Sequence, residues 1–379
     1  MNKKETLEIR RQFTEANCTI SRICGCYVDA EKNRVLEMKD AFLSLPEDEI
    51  HKYFDIFKKT LGGTIGKQLL NLSFTLEEEM GDGRQTMLLA LRDSALKDDA
   101  LLDAFYDRII ESYNFGENYL ILLIHARYDV PGKASDHTEM FDASDTVYEY
   151  VLGSLCPVKL SKAGLMYNAE ENLIEDCRRN WLVNRPDKGF LFPAFTDRTG
   201  DIHSMLYFSK NPEKPDPDFV KDAFGCAMPL TAKSQRDVFA SLVEETLGEN
   251  CDYEAALTLE ENIASLAEAH DEDAEPLSLS KPEIKKLLEK SGAGSDAIEN
   301  FEVSYSDFTG DDKATFDAAN LVSKKTFEVS VADIKIQAPP EETDRIKNRI
   351  VDGVPCLVIP LNDSVTVNGI RVKNDISDK

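Results

Sequence analysis

Polar residues able to do chemistry crowd the turn that follows a predicted strand at Gly189–Phe195. Asp201 and His203 are two positions apart, so on a strand their side chains share one face. A carboxylate placed there can orient an imidazole, or both groups can join Asp197 as metal ligands. An ordinary hairpin with an Asp–Arg ion pair explains the same residues without chemistry. The candidate catalytic residues are therefore Asp197, Arg198, Asp201 and His203.

A second set of polar residues follows the apolar run Asn118–His125, which we interpret as a central strand buried on both faces. Side chains at the end of such a strand often bind ligands. The dipeptide Pro131-Gly132 is equally typical of a plain polar turn. The candidate ligand-binding residues are Tyr128, Asp129 and Lys133 after this run, together with Arg185, which begins the polar stretch that ends at His203. An enzyme would require these two polar segments to converge on one pocket.

The segment Gly62–Lys67 has glycines and a lysine but does not fit a phosphate-binding loop. That loop needs four residues between its glycines and a Ser or Thr after the lysine, whereas Gln68 follows Lys67. A phosphate-binding loop also follows a strand, whereas this segment follows a predicted amphipathic helix. That helix is predicted to start near a capping box at Ser44–Glu47. We interpret it as a helix C-cap and turn, and we predict neither a cofactor nor a bound metal.

The eight cysteines predict reduced thiols, because they are scattered and include no CxxC pair. Cys24 and Cys26 share one face of a predicted strand at Ile20–Val28, and we expect them to be buried apolar thiols. Four histidines have no partner motif, and we expect each to be structural or exposed: His51, His125, His137 and His270.

The charge balance excludes several classes of partner. With 44 Lys+Arg against 70 Asp+Glu, the net charge is −26, and such a surface repels DNA and anionic lipid. We expect neither a DNA nor a membrane partner, and RNA is disfavoured unless a local basic pocket overrides the charge. The densest basic clusters are Lys58-Lys59, Arg178-Arg179 and Lys285-Lys286.

The sequence also predicts a cytosolic location. The N-terminus lacks the apolar stretch of a signal peptide. The longest unbroken apolar run, Tyr119–Ile124, is far shorter than the ~20 residues of a membrane-spanning helix.

Half of the excess negative charge lies in one short segment. Residues 237–280 contain 13 acidic residues and no Lys or Arg, against a net charge of −26 for the whole chain. Tyr253–Ala269 has a helical apolar stripe, and His270–Glu275 is typical of a linker. The segment is either a solvated helix face with a linker, or an acidic surface that docks a protein with a basic surface.

The periodicity along the chain predicts an α+β protein. We expect a mixed sheet covered by helices in the N-terminal region, and a small C-terminal α+β domain with a β-hairpin at Asn368-Gly369. The expected divisions are an N-terminal α+β region (1–155), a strand-rich subdomain (156–248), an acidic helix with a linker (249–275) and the C-terminal domain (276–379).

Distinctive strings of residues lie along most of the chain. They are Phe57–Lys67, Tyr119–Leu123 with Tyr128–Pro131, Cys156–Val158, Gly189–Phe195 with Asp197-Arg198 and Asp201–His203, and Val367–Ile370. With these strings the chain resembles an uncharacterised bacterial family of full-length proteins, classed as a domain of unknown function. The resemblance implies one architecture over nearly the whole chain and carries over no activity.

Two hypotheses of function follow. Because no catalytic or cofactor motif is complete, we favour a cytosolic, non-catalytic binding or regulatory protein that engages a protein partner through the acidic segment. The alternative is a hydrolase or a metal-assisted enzyme centred on Asp197, Arg198, Asp201 and His203.

Overall fold

The structure of the protein, a computed structural model, describes most of the chain. The described residues are 1–133, 139–140, 146–270, 277–309, 312, 314–322, 326–361, 365–367 and 369–372. They cluster into two compact units. Unit 1 contains Met1–Ser234, and unit 2 contains Gln235–His270 with the described part of Leu277–Lys379.

The helices and strands are numbered in chain order. The helices are α1 (Lys3–Arg10), α2 (Glu47–Thr60), α3 (Arg84–Asp93), α4 (Asp99–Ser112), α5 (Pro217–Phe224), α6 (Ala232–Leu247), α7 (Tyr253–Ala269), α8 (Lys281–Lys290), α9 (Ser295–Thr309) and α10 (Ala318–Leu321). Short 3₁₀ helices lie at Glu15–Asn17, Phe42–Ser44, Gly248–Asn250 and Pro340–Arg345.

The strands of unit 1 are β1 (Ile20–Val28), β2 (Arg34–Ala41), β3 (Leu69–Ser73), β4 (Tyr119–Val130), β5 (Gly132–Lys133), β6 (Glu139–Met140), β7 (Thr146–Leu160), β8 (Leu165–Asn168), β9 (Leu173–Asp176), β10 (Trp181–Val183), β11 (Lys188–Phe192), β12 (Ala194–Thr196), β13 (Thr199–Asp201) and β14 (Ser204–Ser209). Those of unit 2 are β15 (Ser278–Leu279), β16 (Phe316–Asp317), β17 (Phe327–Val331), β18 (Ile334–Ala338), β19 (Lys347–Val351), β20 (Val354–Val358), β21 (Val365–Val367) and β22 (Ile370–Val372).

One large sheet organises unit 1, in the order β2-β1-β4-β7-β11-β14-β3, with β10 also paired to β7. The α+β class is confirmed. The pairings between these strands are antiparallel. The expectation of a mixed sheet is therefore wrong. The reason is that neighbours such as β1 and β2 are joined by hairpins, whereas parallel neighbours need long crossover connections. The sheet includes strands from both sides of residue 155, where the sequence suggested a division.

The prediction of a central buried strand is confirmed by β4, which lies between β1 and β7. Consecutive side chains of a strand point to opposite faces. Ile121 and Leu123 pack on one face against residues of α3, α4 and α5. Leu122 and Ile124 pack on the other face against residues of α1 and α2. The helices therefore cover both faces of the sheet, and the apolar run of β4 supplies both cores.

The packing of a ring from a neighbouring strand requires a glycine at position 153. Gly153 of β7 lies opposite Phe190 of β11. A Cβ atom at Gly153 would lie 2.1 Å from Cε1 of Phe190. The Phe190 ring thus occupies the space of the missing side chain and packs in the core of the face covered by α3, α4 and α5.

The predicted amphipathic helix is confirmed by α2, which buries Phe54 and Phe57 against the sheet. The prediction of a capping box at Ser44 is wrong, because the N-cap of α2 is Pro46, whose side chain has no donor or acceptor. Ser44 lies in a 3₁₀ helix two positions earlier, and its hydroxyl donates to the carbonyl of Ala41.

Unit 2 combines a helical core with three β-hairpins. The core of this unit includes the buried residues Leu242, Leu259, Leu288, Phe301 and Phe316. The hairpins pair β17 with β18, β19 with β20, and β21 with β22. The last of these lies where the Asn-Gly pair predicts it, with Gly369 at a φ of 83°, while Asn368 lies outside the described residues.

Candidate functional site

A cleft of about 680 Å³ lies beside α2 in unit 1. Its lining is unusual for so acidic a chain, because five lining side chains are basic and two are acidic. The cations of the cleft are Arg10, Lys52, Lys58, Lys59 and Arg185. The other lining residues are Glu49, Tyr53, Asp55, Ile56, Leu120, Val183 and Asn184.

Helix α2 supplies one wall of the cleft through its periodicity. Glu49, Lys52, Tyr53, Ile56 and Lys59 recur at spacings of three and four, which places them on one side of the helix. The helix is anchored by a different side, which is buried in the core of unit 1. Tyr53 and Ile56 also pack against the edge of this core, so the helix holds Glu49, Lys52 and Lys59 beside an anchored surface.

The remaining lining comes from three other elements. Leu120 lies near the start of β4, and Arg10 is the last residue of α1. The segment after β10 adds Arg185. Tyr53 is held firmly, since its ring stacks on Phe57 at an interplanar angle of 15°. Burial is the main cause that raises the pKa of Tyr53, so its hydroxyl stays neutral at pH 7.

The cations of the cleft have no carboxylate partner in the part of the chain that the structure describes, taking 4.0 Å between nitrogen and oxygen as the limit. Asp55 precedes Lys58 and Lys59 by three and four residues, a spacing that permits helix ion pairs. Even so, no such pair is formed among the described residues. The ammonium of Lys58 lies instead 5.9 Å from the centroid of the Phe54 ring. Unpaired cations around a concave surface attract anions.

The structure brings two of the predicted site residues together at Glu8 of α1. The Tyr128 hydroxyl donates to one carboxylate oxygen of Glu8 at 2.9 Å, and the Arg198 guanidinium contacts the other at 3.2 Å. Arg198 also donates to the carbonyl of Pro131 at 2.7 Å. These contacts connect the two polar segments to α1. They also occupy the polar groups of Tyr128 and Arg198, which would otherwise be available to bind a substrate.

The turn between β12 and β13 is stabilised by two acidic residues of α1. Asp197 and Arg198 have φ values of 49° and 61°, as a two-residue hairpin turn requires. Positive φ is unfavourable for side chains other than glycine. The backbone N–H of Asp197 donates to Glu5, and the guanidinium of Arg198 pairs with Glu8, which stabilises the turn.

His203 is oriented by Glu79 and not by Asp201. Its Nδ1 lies 2.8 Å from a carboxylate oxygen of Glu79, and this hydrogen bond raises the pKa of His203. Asp201 instead accepts from the backbone N–H of His203 and from the hydroxyl of Ser204. The carboxylate of Asp201 therefore stabilises a turn, and it contributes only a minor electrostatic effect to the raised pKa of His203.

The other ligand-binding candidates are dispersed. Asp129 is exposed on β4, and Lys133 ends β5 with a side chain outside the described part of the chain. Arg185 belongs to the lining of the cleft. The ligand-binding role of these residues and of Tyr128 stays a prediction. So does the catalytic role of the other set, which is Asp197, Arg198, Asp201 and His203.

A polar network that the sequence did not indicate surrounds His125, which is 1% exposed. Its Nδ1 lies 2.6 Å from the hydroxyl of Ser21, and its Nε2 lies 2.9 Å from a carboxylate oxygen of Glu149. The three residues come from β1, β4 and β7, so no local spacing links them. Loss of hydration on burial lowers the pKa of His125, although Glu149 opposes this effect.

The prediction for Cys24 and Cys26 is confirmed, because both are fully buried in the same core. Burial raises the pKa of Cys26 to about 11. A thiol with a raised pKa forms little thiolate at neutral pH and is unreactive.

Comparison with known proteins identifies the family of the chain. The family described as "Domain of unknown function (DUF4317)" matches residues 1–370. The chain belongs to this family. A search of curated proteins found no match, and a search of solved structures also found none. Within the described residues, no helix combines the length and the apolar content needed to cross a membrane.

We expect the burial of neutral His125 to make stability depend on pH. Its pKa is lowered on folding, so the unfolded chain binds more protons below its ordinary pKa of about 6.5. The contribution of His125 is present above about pH 6.5 and is lost as the pH falls through that value toward the folded pKa. Urea unfolding of the wild type and of His125→Gln, measured from about pH 5 to about pH 8, tests this dependence.

The variant should be less stable at pH 8 but lose less free energy of unfolding on acidification. His203 has a raised pKa and contributes in the opposite direction, and it is present in both proteins. An equal loss in the two proteins would show that His125 does not carry this pH dependence.

Proposed function

We propose that this protein is a non-catalytic binding protein whose cleft beside α2 takes a small molecule bearing several phosphate groups. The observation that carries the proposal is the set of five cations in one cleft of a chain with a net charge of −26. Bringing like charges together is unfavourable unless an anion neutralises them. The acids of the cleft, Glu49 and Asp55, offset part of this charge but leave an excess of positive groups.

The dimensions and chemistry of the cleft support a small ligand. Its volume of about 680 Å³ falls within the ~300–1,000 Å³ typical of small-molecule sites. Tyr53, Ile56, Leu120 and Val183 provide apolar surface for a ring or an aliphatic part. Arginine can bind phosphate through two parallel hydrogen bonds, and lysine binds it as a point charge. A nucleoside polyphosphate combines all of these features.

Binding fits the lining better than catalysis does. The described lining residues include no Ser, Thr, Cys or His that could act as a nucleophile or as a general base near neutral pH. The alternative hydrolase or metal-assisted enzyme has weaker support, since Arg198 is bonded to Glu8 and His203 to Glu79.

The proposal includes a cytosolic location. All eight cysteines are free thiols, which suits a reducing compartment.

The test replaces two cations of the cleft and measures polyphosphate binding. We expect Lys58→Gln with Lys59→Gln to weaken the binding of inorganic tripolyphosphate by about tenfold or more, because each charged hydrogen bond contributes about 1.5–3 kcal/mol. Trp181, the single tryptophan of the chain, lies in β10 two positions before Val183 of the cleft, so its emission reports binding. Calorimetry then supplies the affinity for tripolyphosphate and for ATP.

The control removes the same charge elsewhere in unit 1. Lys210→Gln with Lys221→Gln changes two exposed lysines outside the lining, and it should leave the affinity unchanged. Equal weakening by the two double variants would mean that net charge, not the cleft, attracts the anion. A single-stranded RNA that binds the cleft much more tightly than ATP would contradict a small-molecule ligand.

A second candidate function is docking of a protein with a basic surface on α7. Glu254, Glu261 and Glu268 are exposed and seven residues apart, so they form one stripe along this helix. Among the described residues, none of the three forms an ion pair. The buried residues of α7 lie on its other side, and they are Ala255, Leu259 and Ile263.

Changing the stripe of α7 to Gln at all three positions should weaken binding of a lysine-rich peptide roughly tenfold, since three exposed pairs each contribute about 0.2–1 kcal/mol. Fluorescence anisotropy at low ionic strength measures this. Deleting residues 249–275 is a poorer test, because it removes the buried Leu259 and Ile263. The matched control changes Glu170, Glu171 and Glu213 to Gln, and an equal effect there would exclude a specific role for α7.

A further inference from the structure

We propose that Glu15, Glu47 and His51 form a binding site for Zn²⁺ or a similar first-row divalent metal ion. The site is separate from the cleft, since none of the three residues belongs to its lining. One imidazole nitrogen and two carboxylate oxygens would bind the metal. Water molecules would complete the coordination.

The local structure explains how three donors meet. Glu47 and His51 are four residues apart on α2, so their side chains are neighbours on one face of the helix. Glu15 comes from the 3₁₀ helix that follows α1. The phenyl ring of Phe54, which is buried in the core, packs edge-on against the imidazole of His51 at a centroid distance of 6.4 Å. The anchored helix thus fixes two of the donors.

The distances are close to those that a metal requires. One ligand atom from each residue lies within 4.8 Å of the other two, and Nε2 of His51 is 2.7 Å from an oxygen of Glu15. Zinc binds such atoms at about 2.0–2.2 Å, so two donors on one ion lie roughly 3–4 Å apart. Adjustments of about an ångström by side-chain rotation would complete the site.

Access and charge favour this metal. The side chains of His51 and Glu15 are 57% and 54% exposed, which leaves space for the ion and its water. Two carboxylates and a neutral imidazole carry two negative charges, which balance a divalent cation. Imidazole nitrogen suits zinc, copper and nickel, whereas magnesium and calcium prefer sites made of oxygen. We therefore expect discrimination against Mg²⁺.

A second exposed His–Glu pair provides a matched comparison within the same chain. Nδ1 of His203 lies 2.8 Å from Glu79, and His203 is 68% exposed. Among the described residues this pair is not part of a cluster of three such donors. If the third donor makes the site, zinc should distinguish the two pairs.

The experiment measures Zn²⁺ binding to the full chain by isothermal titration calorimetry, with the thermal midpoint measured in parallel. The single changes His51→Ala, Glu15→Gln and Glu47→Gln should each weaken the affinity by about tenfold or more, because each removes a ligand. Mg²⁺ should produce no saturable heat at the same concentrations. His203→Ala should bind zinc as the wild type does.

The contrary results are defined by the same variants. The proposal is wrong if the wild type does not bind zinc, or if the three variants retain its affinity. A loss with His51→Ala alone also overturns it, because two carboxylates would then have no role. An equal loss with His203→Ala would indicate nonspecific binding to surface histidines. Circular dichroism of each variant verifies that these exposed changes leave the fold intact.

Discussion

The antiparallel ladder between β4 and β7 is the interaction on which the rest of unit 1 depends. It runs from Tyr119 opposite Pro157 to Val130 opposite Thr146, in the middle of the sheet. The central parts of both strands are buried on both faces, so the ladder holds two helical layers in place at once. The close approach at Gly153 lets the Phe190 ring lie over β7. Helices on either face therefore take their positions from one pair of strands.

The candidate cleft follows from this arrangement. Helix α2 is fixed by aromatic side chains on its buried side, and its polar residues must then face outward beside Leu120 of β4. Burial of apolar surface thus holds cations near one another, a placement that their mutual repulsion opposes. Polyphosphate would relieve that repulsion. One helix thus contributes both to the stability of unit 1, through its buried aromatic residues, and to the proposed binding function, through its exposed cations.

Local elements can be predicted well from the sequence, whereas the meeting of residues that are distant in the chain cannot. The run at β4, the amphipathic helix α2 and the same-face pair Cys24 and Cys26 follow from periodicity, because each depends on neighbouring residues. The antiparallel order of the sheet and the meeting of Ser21, His125 and Glu149 depend on contacts between distant strands. The cleft shows the same limit. Its cations come from α1, α2 and the segment after β10, and only Lys58-Lys59 stood out as a cluster in the sequence.

The most direct test of the proposed polyphosphate site is a crystal structure of the protein with saturating inorganic tripolyphosphate. The account predicts phosphate density within the cleft, with oxygens at hydrogen-bonding distance from Lys58, Lys59 and Arg185. The contrary result is a cleft without phosphate at saturation, with the ligand bound elsewhere on the protein or not bound at all.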